Sequence, residues 1–144
     1  MIKQDLLDLQ VPTRGRGFYE ITDAVGSLLT SARIGCGLMT LQLLHTSASL
    51  LIQENADPEV RRDLERFFSR LVPDGDPIFR HVCEGSDDMP AHVRTALTTV
   101  NMSLPVRDSR LCLGTWQGIF LWEHRATPHN RQLVIHLLGD SNGV

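Results

Sequence analysis

Residues 81–92 read His-Val-Cys-Glu-Gly-Ser-Asp-Asp-Met-Pro-Ala-His, which places two histidines and three carboxylates in one short stretch. A neutral imidazole serves as a metal ligand or a general base, and a neighbouring carboxylate either binds the ion or orients the ring. Two further polar clusters interrupt apolar runs: His45-Thr46-Ser47-Ala48-Ser49 and Gly114-Thr115-Trp116-Gln117-Gly118. We expect the fold to gather all three into one polar, metal-binding pocket. The expected ligands are His45, His81 and His92, because three nitrogen donors with one open position form a frequent catalytic zinc arrangement. The spacing of His81 and His92 matches no compact zinc motif, so the expectation rests on all three histidines lying at element ends. Asp87 and Asp88 have three readings: they cap a helix, orient an imidazole or bind the metal. Cys83 is a lesser candidate ligand. His124, His129 and His136 are weaker candidates, lying respectively between Glu123 and Arg125, in a turn and inside a strand.

The elements that position these groups follow from hydrophobic periodicity. Leu7, Leu9 and Val11 alternate with polar residues and predict a strand over 2–11. Arg14-Gly15-Arg16-Gly17 is a turn, either solvated or offering guanidinium and backbone N–H groups to an anion. A helix is expected from Thr22, its capping residue, with Ile21, Val25, Leu28 and Leu29 on one face. Residues 38–45 form a strand whose inward row Met39, Leu41, Leu43 ends in His45, and 48–53 form another. Asp57-Pro58 starts a helix, Val60, Leu64, Phe67, Phe68 and Leu71 give it an apolar face, and Pro73 ends it. Residues 74–89 show no periodicity. A short helix led by Pro90 follows, with His92 in its first turn, where the positive end of the dipole favours neutral imidazole. Strands are expected at 102–106, 111–125 and 131–138. On the second of these, Trp116, Phe120 and Trp122 form a core or interface row. Glu123 and Arg125 share the other face with Thr115 and Gln117, as a pocket wall or a solvent-facing ion pair. This order implies an α+β protein, a largely antiparallel β-sheet sandwich with three helices, in a single domain over residues 1–144.

Bulk properties narrow the function classes. A formal net charge of -3 argues against a nucleic-acid partner, which selects for a basic face. No apolar run reaches the roughly 20 residues that span a bilayer, and the first residues lack a signal-peptide pattern. Cys36, Cys83 and Cys112 are odd in number and widely spaced, which fits a reducing compartment. Cys36 and Cys112 fall in apolar runs and read as small core residues. We therefore expect a cytoplasmic protein without a membrane partner. No GxGxxG, Walker-A loop or GxSxG elbow occurs, and nothing specifies a base and oxyanion hole around Ser47 or Ser49.

Five segments, taken in order, resemble the YjbQ-like family, also called the secondary thiamine-phosphate synthase family. They are His45-Thr-Ser-Ala-Ser, Asn55-Ala-Asp57-Pro58, Glu84-Gly-Ser-Asp-Asp-Met-Pro-Ala-His92, Leu113-Gly-Thr-Trp-Gln-Gly118 and Glu123-His-Arg125. The resemblance covers about residues 16–139. It implies a YjbQ-like fold, a homotrimer and a pocket near the histidines that holds a divalent metal ion, zinc or magnesium. It also implies a secondary activity that joins hydroxymethylpyrimidine diphosphate to thiazole phosphate and releases pyrophosphate. In that reading His45, His81 and His92 hold the metal, Asp88 and Glu123 are the catalytic carboxylates, and Arg16, Thr46, Ser47, Gln117 and Arg125 meet the phosphorylated small-molecule substrate. A trimeric metal- or small-ligand-binding protein is the alternative.

Overall fold

Period-two alternation shapes most of the chain. A computed structural model describes residues 1–141. In chain order the elements are β1 (Ile2–Pro12), β2 (Gly17–Glu20), α1 (Thr22–Ala32), β3 (Cys36–Leu43), β4 (Ala48–Glu54) and α2 (Pro58–Leu71). Then come α3 (Asp88–Leu97), β5 (Asn101–Arg107), β6 (Arg110–Leu111), β7 (Gln117–Glu123) and β8 (Asn130–Asp140). The strands form a five-stranded sheet, β1-β8-β3-β5-β6, and a three-stranded sheet, β2-β7-β4. Every pairing among these strands is antiparallel. The expected α+β sandwich with three helices is therefore the observed architecture.

One apolar core lies between the sheets. Met39, Leu41 and Leu43 of β3 and Leu133, Ile135 and Leu137 of β8 meet Leu50 of β4, Ile119 and Leu121 of β7, and Val25 and Leu29 of α1. Alternation turns Phe120, Trp122 and His124 to the opposite face of the small sheet. There Trp122 stacks on Phe18 and meets Phe68 of α2 edge-on. Asp57 caps α2 as expected, accepting from the Glu59 N–H at 2.9 Å. Its apolar stripe is nevertheless only partly covered, and no α2 residue is buried.

Several local expectations are corrected. Thr22 does not cap α1: its hydroxyl donates to Glu20 and accepts from the Ile119 N–H. A short strand, β2, follows the arginine-glycine turn. β3 stops at Leu43, so His45 lies in the connection to β4 and is not its last inward residue. The strand expected over 111–125 is split, because the Gly114-rich segment forms a turn between β6 and β7 and leaves Trp116 62% exposed. Cys36 and Cys112 are exposed, not core. α3 begins at Asp88, ahead of Pro90, which puts His92 in the second helical turn.

What holds α3 against the small sheet is a chain of buried polar contacts. The Thr95 hydroxyl donates to the Ala48 carbonyl, and Thr98 donates to the Arg94 carbonyl at 2.7 Å. With its proton so placed, Thr98 accepts from Ser49. Ser49 in turn accepts from His124 Nε2 at 2.7 Å, which puts the His124 proton on Nε2. His124 Nδ1 has no partner among the described residues. Burial first, then the charges of Arg94, Arg16 and Arg131, push the His124 pKa down to about 3 from 6.5. The unfolded chain therefore binds the extra proton between those values. Stability from this group is complete above pH 6.5 and falls as pH drops toward 3, by up to about 1.4 kcal/mol per pH unit. Urea unfolding followed from pH 7 to pH 4 should show this slope in the wild type and lose that component in His124→Gln.

Candidate metal centre

Asp88 and His92 are four residues apart on α3, so one helical face carries both. His81 reaches the same point from the preceding loop. His81 Nε2 lies 2.7 Å from Asp88 Oδ2, and His92 Nε2 lies 3.2 Å from the same oxygen. The three ligand atoms fall within 4.8 Å of one another. Asp88 is buried, while both imidazoles keep one side open to solvent.

Arg125 fixes the orientation of the carboxylate. Its Nη1 bonds Asp88 Oδ1 at 2.9 Å, its Nε bonds Asp87 Oδ2 at 3.0 Å, and its Nη2 donates to the Glu84 carbonyl at 2.8 Å. Asp87 Oδ2 also accepts from the Ala126 N–H, so this residue is a bracket and not a helix cap. Burial opposes ionisation of Asp87, but the Ala126 amide and Arg125 outweigh it and hold its carboxyl below the usual range. Gly85 makes the turn possible: its φ is +108°, and a Cβ there would stand 3.0 Å from Asp87 Oδ1.

These donors fit a divalent ion. His92 Nδ1 lies 3.0 Å from the Thr46 carbonyl, which can only accept, so the ring proton sits on Nδ1. With that proton on Nδ1, a neutral ring would turn its Nε2 lone pair toward the Asp88 oxygen, and a cation between them would be held by both. Atoms about 2.0–2.1 Å from a tetrahedral zinc are about 3.3 Å apart, near the 3.2 Å between His92 Nε2 and Asp88 Oδ2, whereas the 2.7 Å between His81 Nε2 and that oxygen is a direct hydrogen bond that would open to admit an ion. A backbone carbonyl on the far nitrogen is the usual way to orient a metal-bound imidazole.

The other expected site residues are distributed elsewhere. His45 is outside the group. Its Nε2 accepts the Gln132 N–H at 2.9 Å, and burial, then Arg131, hold its imidazole below the usual histidine range. Glu123 is fully buried against Arg131, whose Nε bonds Oε1 at 2.8 Å. It also accepts from the Thr13 hydroxyl at 2.7 Å and from the Arg125 N–H. Burial opposes its ionisation, yet these hydrogen bonds, Arg131 foremost, keep its carboxyl below the normal range. Ser47 supplies its hydroxyl and carbonyl to Arg131. Arg16 grips Asp74 with two bonds and donates to the His124 carbonyl. Gln117 folds onto the Gly114 N–H, at the end of β7 remote from Glu123, about 20 Å away along the strand. Thr46 reaches the centre through its carbonyl alone. Cys83 is exposed and not in the ligand group. The bracket role of Asp87 and the Ser49–His124 pair were not anticipated. The four-residue spacing of Asp88 and His92 was the available signal for the centre, once the helix is started two residues earlier.

The model of the family described as UPF0047 protein YjbQ-like matches residues 7–140. A UPF0047 protein of Synechocystis is 46% identical over 132 residues, 92% of this chain and 90% of that protein. The UPF0047 protein YjbQ of Escherichia coli O157:H7 is 44% identical over 133 residues, 92% and 96% of the two chains. Among solved structures, a conserved hypothetical protein from Thermus thermophilus superposes with TM-score 0.82 at 37% identity, over 91% of this chain and 98% of that one. A YbjQ-like protein of unknown function from Sulfolobus solfataricus shares the fold, with TM-score 0.87 at 22% identity over 97% and 100%. The chain belongs to the UPF0047 YjbQ-like family.

Proposed function

We propose that this chain is a metal-dependent enzyme acting on a phosphorylated small molecule, with thiamine-phosphate synthase as the reaction type. The observation that carries the reading is the convergence of His81 Nε2 and His92 Nε2 on one oxygen of Asp88. These three residues would hold the ion. Two imidazole nitrogens favour zinc or a similar transition ion over magnesium, which prefers oxygen ligands and water. When bound, the ion would supply positive charge to the oxygens of a diphosphate as the thiazole nitrogen's lone pair forms the new carbon–nitrogen bond, the carbon–oxygen bond breaks and its electron pair departs with pyrophosphate. Asp88 is held in one orientation by Arg125, and His92 in one tautomer by the Thr46 carbonyl, so these two ligands are preset and His81 is the one that would shift to admit the ion. Both imidazoles are partly exposed, so the centre is reachable from solvent.

The homotrimer belongs to the same proposal. Leu6, Leu38 and Leu138 on the outer face of the large sheet, and Phe67 and Leu71 on α2, are exposed apolar groups of the kind that subunit contacts cover. A second reading, a trimeric metal- or small-ligand-binding protein without synthase activity, has one observation in its favour. Arg16 and Arg125 are both engaged by carboxylates and carbonyls, and neither presents a free guanidinium to phosphate.

Metal analysis of the purified, zinc-equilibrated protein tests the ligand set. The wild type should carry about one equivalent, and His81→Ala, His92→Ala and Asp88→Asn should each lose most of it. His45→Ala should keep it. Glu123→Gln should also keep it while losing about 3 kcal/mol of stability, because a buried arginine loses its charge partner. A His45→Ala protein as empty as His92→Ala would require a different ligand set. Synthase turnover in the same proteins separates the two readings. Activity should fall at least about tenfold in the three metal-poor variants, whereas turnover independent of metal load would remove the enzymatic reading.

A further inference from the structure

A cavity of about 220 Å³ lies beside the metal centre, beneath the loop that delivers His81. The Gly75 N–H bonds the Ser86 carbonyl at 3.0 Å and ties the two ends of this loop together. Pro77, Phe79, Val82 and Met89 make most of the wall apolar. Among the described residues, Asp76 is its one carboxylate, and no arginine or lysine lines it. Arg125, close by at Gly85, is already engaged by Asp87, Asp88 and the Glu84 carbonyl. His81 belongs to both places: its ring walls the cavity while its Nε2 faces Asp88. A cavity of about 150 Å³ is enough to hold benzene, so this space has room for one small ring. A larger cleft, about 600 Å³, runs between α1 and residues 109–113, but no described histidine or cysteine lines it.

We propose that this cavity seats a single uncharged ring of the substrate, while an oxygen-bearing arm of the same molecule reaches the metal at His81, Asp88 and His92. The inference rests on the metal-centre reading. It divides the substrate into two chemical parts. The anionic part stays at the metal, because the cavity offers it no cation and sets Asp76 against it. The apolar ring is the part that the loop recognises.

Hydroxamic acids test the division, since their oxygens chelate a divalent ion and their side group can be varied. Cobalt(II) is loaded into the full-length protein, and its visible spectrum reports each titration. Benzohydroxamic acid should bind at least about tenfold more tightly than acetohydroxamic acid, through burial of the ring. A 4-carboxylate on the benzo ring should cancel the gain. Val82→Trp, which fills the cavity, and Phe79→Ala, which removes a wall, should each reduce the preference while cobalt loading and acetohydroxamate affinity stay unchanged. If cobalt binds but the two hydroxamates bind equally, or if both variants keep the preference, the ring site is wrong and the metal centre stands. If cobalt does not bind, the metal-centre reading falls and this proposal falls with it.

Discussion

The buried carboxylate of Asp88 is the constraint from which the rest of the centre follows. An ionised carboxylate away from water is costly unless cations or hydrogen bonds surround it. Arg125 meets one oxygen, and the other is left to two imidazoles. That division explains the local architecture. The loop must carry His81 back toward α3, and the helix must begin early enough to place His92 one turn beyond Asp88. Asp87 must leave the helix end to hold Arg125, and Gly85 must turn the chain without a side chain in the way.

Two buried polar networks position this assembly on the sandwich. One runs from His124 through Ser49 and Thr98 and fixes the middle and end of α3 against β4 and β7. The other joins Glu123, Arg131, Thr13 and Ser47, and sets the end of β7 from which Arg125 projects. Glu123 therefore acts at a distance from His81, Asp88 and His92: it orders the backbone that presents Arg125. Both networks are satisfied almost completely inside the protein, as buried polar groups must be, with His124 Nδ1 and Arg94 Nε as the exceptions among the described residues.

Much of the scaffold was legible in the sequence because its signals are local. Leu7, Leu9 and Val11 alternate over β1, Asp57-Pro58 marks the start of α2, and the element order points to an antiparallel α+β sandwich. The centre was legible in part. His81, Asp88 and His92 stand out because histidines and carboxylates are dense between 81 and 92. His45 is grouped with them when the inward row of β3 is extended two residues past its end. The strand stops at Leu43, and the ring is turned to the Gln132 amide instead. Which residue shares space with which is decided by pairing between β4, β7 and β8, and spacing within one segment carries no record of that. The same limit applies to Arg125 and Glu123. Adjacent alternate positions on a strand suggest a shared pocket wall, yet one is bracketed by Asp87 and the other is buried beneath Arg131. Cys36 and Cys112 show the converse: Cys36 starts β3 and Cys112 lies just past β6, and residence in an apolar run did not place either in the core.

The hydrogen bond from His92 to position 46 has a consequence for how such a centre tolerates change. The acceptor is a peptide oxygen, which every amino acid carries. The tautomer of the ligand is thus set by the path of the backbone between β3 and β4 and not by the identity of a side chain. Threonine at 46 is interchangeable in this respect, whereas insertion or deletion of one residue in that connection would move the oxygen and leave the imidazole free to turn. Length, more than composition, is what this segment must preserve.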